Sequence, residues 1–144
     1  MTFRILAHQM DALGAQTRAD FHARVLGYLR AHLPTHRAAV GDDDAWMVDA
    51  LAFAHRYGIE TEPEVFQLIV ILTDLGLDAD ERYPWVAAAL GDRALLPEGK
   101  LRRLIVDGCT RHPNLEGLLV IARYREALIY ARDAAPDAAV STSP

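Results

Sequence analysis

The sequence predicts an all-α fold, and three observations support that prediction. Apolar residues recur at helical spacing along most of the 144-residue chain, whereas the alternating pattern of strands is nearly absent. One segment, Val65–Leu75, is apolar on nearly every face, which is typical of a helix buried inside a bundle. About half of the residues are apolar and a quarter charged, an ordinary globular composition. We therefore expect a single compact bundle of about six helices around a buried central apolar helix.

The first third of the chain predicts two helices joined by a short turn. The first covers about His8–Leu33 and ends there because Pro34 disfavours the helical conformation in the residue before it. Its expected apolar face consists of Met10, Leu13, Phe21, Val25, Tyr28 and Leu29. After a turn over His36–Val40, the second helix covers about Asp43–Tyr57. The acids Asp42–Asp44 offer N-cap oxygens for its first turn.

The start of the apolar helix is predicted by a capping box formed by Thr61 and Glu64. The threonine hydroxyl would bond to the Glu64 amide, while the Glu64 carboxylate reaches back. The helix should end at Leu75, because Gly76 follows it as a glycine stop. The β-branched run Ile69–Ile71 would also suit a strand, but the signals at both ends and the length of the segment favour a helix.

Three more helices are expected after an acidic loop over Gly76–Arg82. The first is short and contains Trp85–Leu90, and the second covers Pro97–Arg111. The last covers about Leu115–Ala134 and places apolar residues on one broad face. One domain over residues 1–134 is expected, followed by a disordered tail of small residues over 135–144.

The charges are distributed unevenly along the chain. Residues 1–41 carry a net +3, residues 42–98 carry −10, and residues 99–144 carry +2. An acidic block argues against nucleic acid, which binds basic surfaces, and is compatible with a basic protein partner. A single cysteine, no secretory signal and no apolar run long enough to cross a bilayer predict a cytoplasmic protein that does not enter a membrane.

No pattern of catalytic or metal-binding residues emerges. His32 and His36 are separated by Pro34, so they are not expected to share a helical face or form a zinc site. The loop from Asp78 lacks the glycine and the final glutamate of a calcium-binding loop. Cys109 lacks the sequence context of a catalytic nucleophile and fits a small buried residue. The sequence therefore predicts a non-enzymatic protein without a metal or cofactor.

The residues most suited to binding a partner lie in the acidic loop. They are Asp78, Asp80, Glu81, Arg82 and Tyr83, with Asp42 and Asp43 as a second acidic segment. Tryptophan and tyrosine are favoured at binding hot spots, but Trp85 is expected to pack into the core, so Tyr83 and the acids before it are the better candidates. The alternative is that these acids cap helices and are solvated; Asp80 or Glu81, for instance, would cap the helix containing Trp85.

Several short motifs occur in an order that resembles a known group of proteins. They are Gln9-Met10-x-x-Leu13, Phe21 before Tyr28-Leu29-Arg30-x-x-Leu33-Pro34, Arg56-Tyr57-Gly58-Ile59, Glu64-Val65, Leu75-Gly76, Tyr83-Pro84-Trp85 and Lys100-Leu101-x-x-Leu104. Over roughly Ala7–Ile105 the chain resembles small helical accessory proteins encoded in bacterial type VI secretion clusters, near spike (VgrG), PAAR and effector genes. It departs from that pattern at Ala7, where a Thr or Ser cap is usual, and in its added last helix.

The resemblance implies a protein-binding function rather than an activity. It implies an adaptor or co-chaperone that binds a secretion adaptor chaperone or an effector during effector loading, and it brings no catalytic residues. The alternative is an immunity protein that neutralises a cognate effector toxin, since such proteins are also small and acidic. The added last helix is either a specificity element or a part that completes the bundle. The oligomeric state stays open, because an apolar helix can also be buried between two copies.

Overall fold

The computed structural model describes residues 3–41 and 44–127, with side chains described from Arg18 onward. Within these ranges every regular element is a helix, so the predicted all-α class is confirmed. The helices are α1 (Phe3–His32), α2 (Arg37–Val40), α3 (Ala45–Arg56), α4 (Glu62–Leu75), α5 (Ala79–Arg82), α6 (Pro84–Leu90), α7 (Pro97–Arg111) and α8, of which residues 116–127 are described. None of the helices in these ranges has the length and hydropathy needed to cross a bilayer.

The core is one continuous cluster of buried side chains to which α4 contributes the most residues. Those of α4 are Val65, Leu68, Ile69, Val70, Ile71, Leu72 and Leu75. The helix contacts α1, α3 and α7, and its β-branched run is helical, as predicted. Each fully buried aliphatic side chain contributes about 1.5–3 kcal/mol relative to an exposed one. Burial of α4 on nearly all sides is therefore a main source of stability.

Gly76 ends α4 as predicted, and the structure adds two single-turn helices. Gly76 follows α4 with φ 95°, a conformation that side chains other than glycine rarely adopt. The predicted turn over residues 36–40 contains α2, and the predicted acidic loop contains α5. Ala79 is fully buried, which explains the extra turn in an acidic segment: α5 is fixed by packing rather than by helix propensity.

The predicted capping roles of the acids are largely wrong. Thr61 occupies the N-cap of α4, but its hydroxyl makes no bond to a helix amide. It bonds to the Glu64 carboxyl instead. Burial raises the pKa of Glu64, and this hydrogen bond offsets part of the rise. Asp44 precedes α3 without capping it, and the residue before α6 is Tyr83 rather than Asp80 or Glu81. Asp44 and Asp80 bond to Arg18 and Tyr57 instead.

Of the two long terminal helices, the first starts earlier than predicted. The first begins at Phe3, five residues before the predicted start, and its described apolar side chains Phe21, Val25 and Leu29 are buried as expected. Met10 and Leu13 lie outside the described side chains. In α8, Leu118 and Ile121 are fully buried, so the described part of this helix completes the bundle. The predicted end of α8 at Ala134 and the tail over 135–144 lie outside the described residues.

Candidate functional site

The segment predicted to bind a partner, Asp78–Tyr83, folds as α5 and its flanks. It follows directly from the end of α4 and packs against α6. Asp78, Glu81 and Arg82 are exposed, whereas Ala79 is buried beneath them. Three charged side chains are thus presented to solvent from a single turn that the core holds in place.

Asp80 is the exception in this segment, because its side chain is only 12% exposed. Its Oδ2 accepts a hydrogen bond of 2.5 Å from the Tyr57 hydroxyl and lies 3.5 Å from Nη2 of Arg56. The Arg56 guanidinium also lies over the rings of Phe53 and Tyr57. Asp80 therefore ties α5 to the end of α3, and less of its carboxylate is available to a partner.

The Tyr57–Asp80 bond perturbs the titration of the phenol. Burial, the hydrogen bond to Asp80 and the charges of Asp80 and Glu81 together raise the pKa of Tyr57 to about 12, against the opposing charge of Arg56. The folded protein therefore binds this proton more tightly than the unfolded chain does. The stability that the protonated Tyr57 hydroxyl contributes to the fold is fully present below pH 10 and is lost as the pH rises toward about 12.

Replacing Tyr57 with phenylalanine tests this link between α3 and α5. At neutral pH we expect the variant to be about 1 kcal/mol less stable, because it lacks the hydrogen bond. The difference should shrink between pH 10 and about 12, where the tyrosine loses its advantage. Urea unfolding of both proteins over this pH range measures it. A difference that stays constant with pH would contradict the assignment.

Arg82 connects several groups around α5. Its Nη1 donates to the carbonyl of Leu75 (3.3 Å) and lies 3.6 Å from Asp78 Oδ1. Its guanidinium also lies 5.2 Å from the ring centre of Tyr83. A cation at the carbonyl end of a helix is favourable, so Arg82 stabilises the end of α4 as well as the α5 surface.

Tyr83 is half-buried and packs in an aromatic cluster. Its ring centre lies 5.9 Å from that of Trp85 and 5.5 Å from that of His112. Trp85 is buried against the core, which confirms the prediction for that residue. Tyr83 therefore joins the core to the exposed charges of α5.

Asp44, which follows the second predicted acidic segment, does not extend this surface. Asp42 and Asp43 lie outside the described residues, and Asp44 pairs with Arg18 of α1 at 3.1 Å. Asp44 precedes α3, whereas the α5 segment contacts Tyr57 just after it. Twelve helical residues span about 18 Å. Asp44 and α5 are therefore at opposite ends of α3.

Sequence reasoning missed a second candidate surface, formed by aromatic side chains of α1, α4 and α8. Tyr28, Phe66 and Tyr124 contact one another and are half-buried rather than enclosed. Helical periodicity placed Tyr28 on the apolar face of the first helix correctly. It could not show that these positions would line an open groove, because that depends on how the helices cross.

Comparison of the chain with protein-family models, with curated proteins and with solved structures found no match.

Proposed function

We propose that this protein is a non-enzymatic, cytoplasmic accessory factor that binds a protein partner during type VI effector loading, as an adaptor or co-chaperone. The proposal rests first on the motif resemblance in the sequence. The observation that supports it most is the meeting of two of those motifs at α5. Tyr57, from the Arg56–Ile59 motif, bonds to Asp80, and the Tyr83–Trp85 motif follows α5 directly.

The surface at α5 has the chemistry of a protein-recognition site. Asp78 and Glu81 are exposed acids, and Tyr83 supplies an aromatic edge beside them. Arg82 moderates the acidity by pairing with Asp78. Such a mixed surface favours a partner with a complementary basic patch, because complementary charges speed association and exclude wrong partners.

Purification of the tagged chain from its native host, followed by mass spectrometry, tests the proposal. We expect secretion spike, PAAR, adaptor or effector proteins to be recovered with it. Glu81→Lys should weaken binding of the recovered partner by about tenfold, since it reverses an exposed charge at the surface. Asp20→Lys changes an exposed acid on α1 and serves as the matched control. Recovery of no secretion component would count against the proposal.

The immunity alternative is favoured by the same exposed acids, which would suit the basic cleft of a nucleic-acid-degrading toxin. Deletion of the gene separates the two functions. Healthy cells that fail to deliver an effector are expected if the protein is an adaptor. Self-intoxication by an adjacent toxin would instead identify an immunity protein.

A further inference from the structure

An open groove runs between α1 and α8, with α4 as its floor; we call it the α1–α8 groove. Its larger part, about 390 Å³, is lined by Tyr28, His32, Val120, Arg123 and Tyr124. Its smaller part, about 240 Å³, is lined by Phe21, Arg24, Glu62, Pro63, Phe66 and Tyr124. Tyr124 lines both parts, so they adjoin. From Phe21 to His32 the groove follows α1 for about 16 Å, which is three turns of a helix.

The aromatic rings of the groove pack against one another and are only partly covered. Tyr28 and Phe66 meet edge to face, with ring centres 4.7 Å apart, and the rings of Phe66 and Tyr124 are 5.9 Å apart. Rings held in this way lose little conformational entropy when a partner covers them, and half-buried aromatics are typical binding hot spots. The groove therefore offers preformed apolar surface along the length of a short helix.

The charges around the groove indicate the chemistry of its occupant. The α1 wall, residues 18–32, carries three arginines against one aspartate, and the described part of α8, residues 116–127, carries two arginines against two glutamates. Arg24 is paired with Glu62 at one end. Arg123 is exposed at the other end, near His32, and makes no ion pair with any residue that the structure describes. An acidic group on a bound partner would therefore pair with Arg123 at this end of the groove.

We propose that the α1–α8 groove binds an acidic amphipathic helix of a partner protein. Apolar side chains at helical spacing cover Tyr28, Phe66 and Tyr124, and a carboxylate of the partner pairs with Arg123. The groove lies at the N-terminal half of α4, whereas α5 follows its C-terminal end. The proposal goes beyond the α5 surface and holds even if α5 binds nothing.

Selection of a random displayed peptide library on the full-length chain tests the proposal. We expect the enriched peptides to have apolar residues at i, i+4 and i+7 and at least one Asp or Glu on the adjoining face. The tightest selected peptide, made synthetically, is then the probe. Its Kd should rise at least tenfold with Arg123→Glu. Arg102→Glu, at an exposed position on α7, is the matched control and should leave the Kd unchanged.

Tyr124→Ala provides a second test that does not involve charge. It should also weaken the probe at least tenfold, and a circular-dichroism melt shows whether the variant is folded. Enriched peptides without acids, an empty selection, or a probe indifferent to Arg123→Glu would each overturn the proposal. A dimer of the full-length chain that Arg123→Glu converts to monomers would also overturn it, because a second copy would then be the occupant.

Discussion

Replacing Gly117 with alanine is expected to destabilise the protein by about 2–4 kcal/mol. A Cβ at this position would lie 2.4 Å from Oδ2, 2.8 Å from Cγ and 3.0 Å from Oδ1 of Asp74. The Asp74 side chain is only 2% exposed, and its oxygens are already engaged. It cannot move away without breaking other bonds, so α8 itself must shift.

Gly27→Ala is the matched control for this substitution. Gly27 lies within α1, and a Cβ there would meet nothing within 4 Å. Alanine is favoured over glycine in a helix by about 1 kcal/mol, so this variant should be slightly more stable than the natural protein. Urea unfolding monitored by circular dichroism measures both changes. Equal effects of the two substitutions would contradict the crowding at Gly117.

The contact at Gly117 arises because α8 cannot cap itself. Its first amides are preceded by Leu115, whose side chain has no hydrogen-bond acceptor. Asp74 supplies the missing acceptor from α4: Oδ1 accepts from the amide of Gly117 at 3.3 Å, and Oδ2 from that of Leu118 at 2.8 Å. Nε2 of His36 lies 2.6 Å from Oδ1. One carboxylate thus joins α4, α8 and the segment between α1 and α2.

This arrangement also explains a charge in an unfavourable place. Asp74 is in the last turn of α4, where the helix dipole disfavours a carboxylate. The positive end of the α8 dipole and the His36 ring compensate for that. The burial of Asp74 is therefore understandable only when three separate segments are considered together.

Local signals in the sequence predicted most helices of the fold, but they did not predict which side chains that are distant in sequence would bond to each other. Pro34 and Gly76 set helix ends through their own backbone preferences, which a sequence states directly. Asp44, Asp74 and Asp80 look alike as acids near helix ends. Their partners in the structure are 23 to 44 residues away in sequence, and only the packing of helices brings them together.

The candidate site at α5 was likewise predictable from local signals but not in its long-range contacts. The exposure of Asp78, Glu81 and Arg82 agrees with an acidic segment between two apolar ones. The burial of Asp80 depends on Tyr57, 23 residues earlier, and had no local signal. Ala79 is an apolar residue in the middle of the acidic segment, and it was the one clue in the sequence that this turn would pack against the core. The structure shows it fully buried.

Replacing Asp74 with alanine is expected to cost about 3 kcal/mol, because two α8 amides and the His36 ring lose a buried, charged acceptor. Asp20→Ala removes an exposed acid of α1 and should change the stability by less than about 0.5 kcal/mol. The sharper expectation concerns Gly117→Ala in the Asp74→Ala background. The three atoms nearest to the new Cβ all belong to the Asp74 side chain and are absent from the Asp74→Ala variant.

The second substitution should therefore be nearly neutral in that background, or stabilising by up to about 1 kcal/mol through helix propensity. The coupling free energy between the two positions should exceed about 2 kcal/mol, within the range of residues in direct contact. Urea unfolding of the natural protein, both single variants and the double variant gives this value. Additive effects would mean that Gly117 is required for a reason other than the approach of Asp74, and that the α8 start is held in some other way.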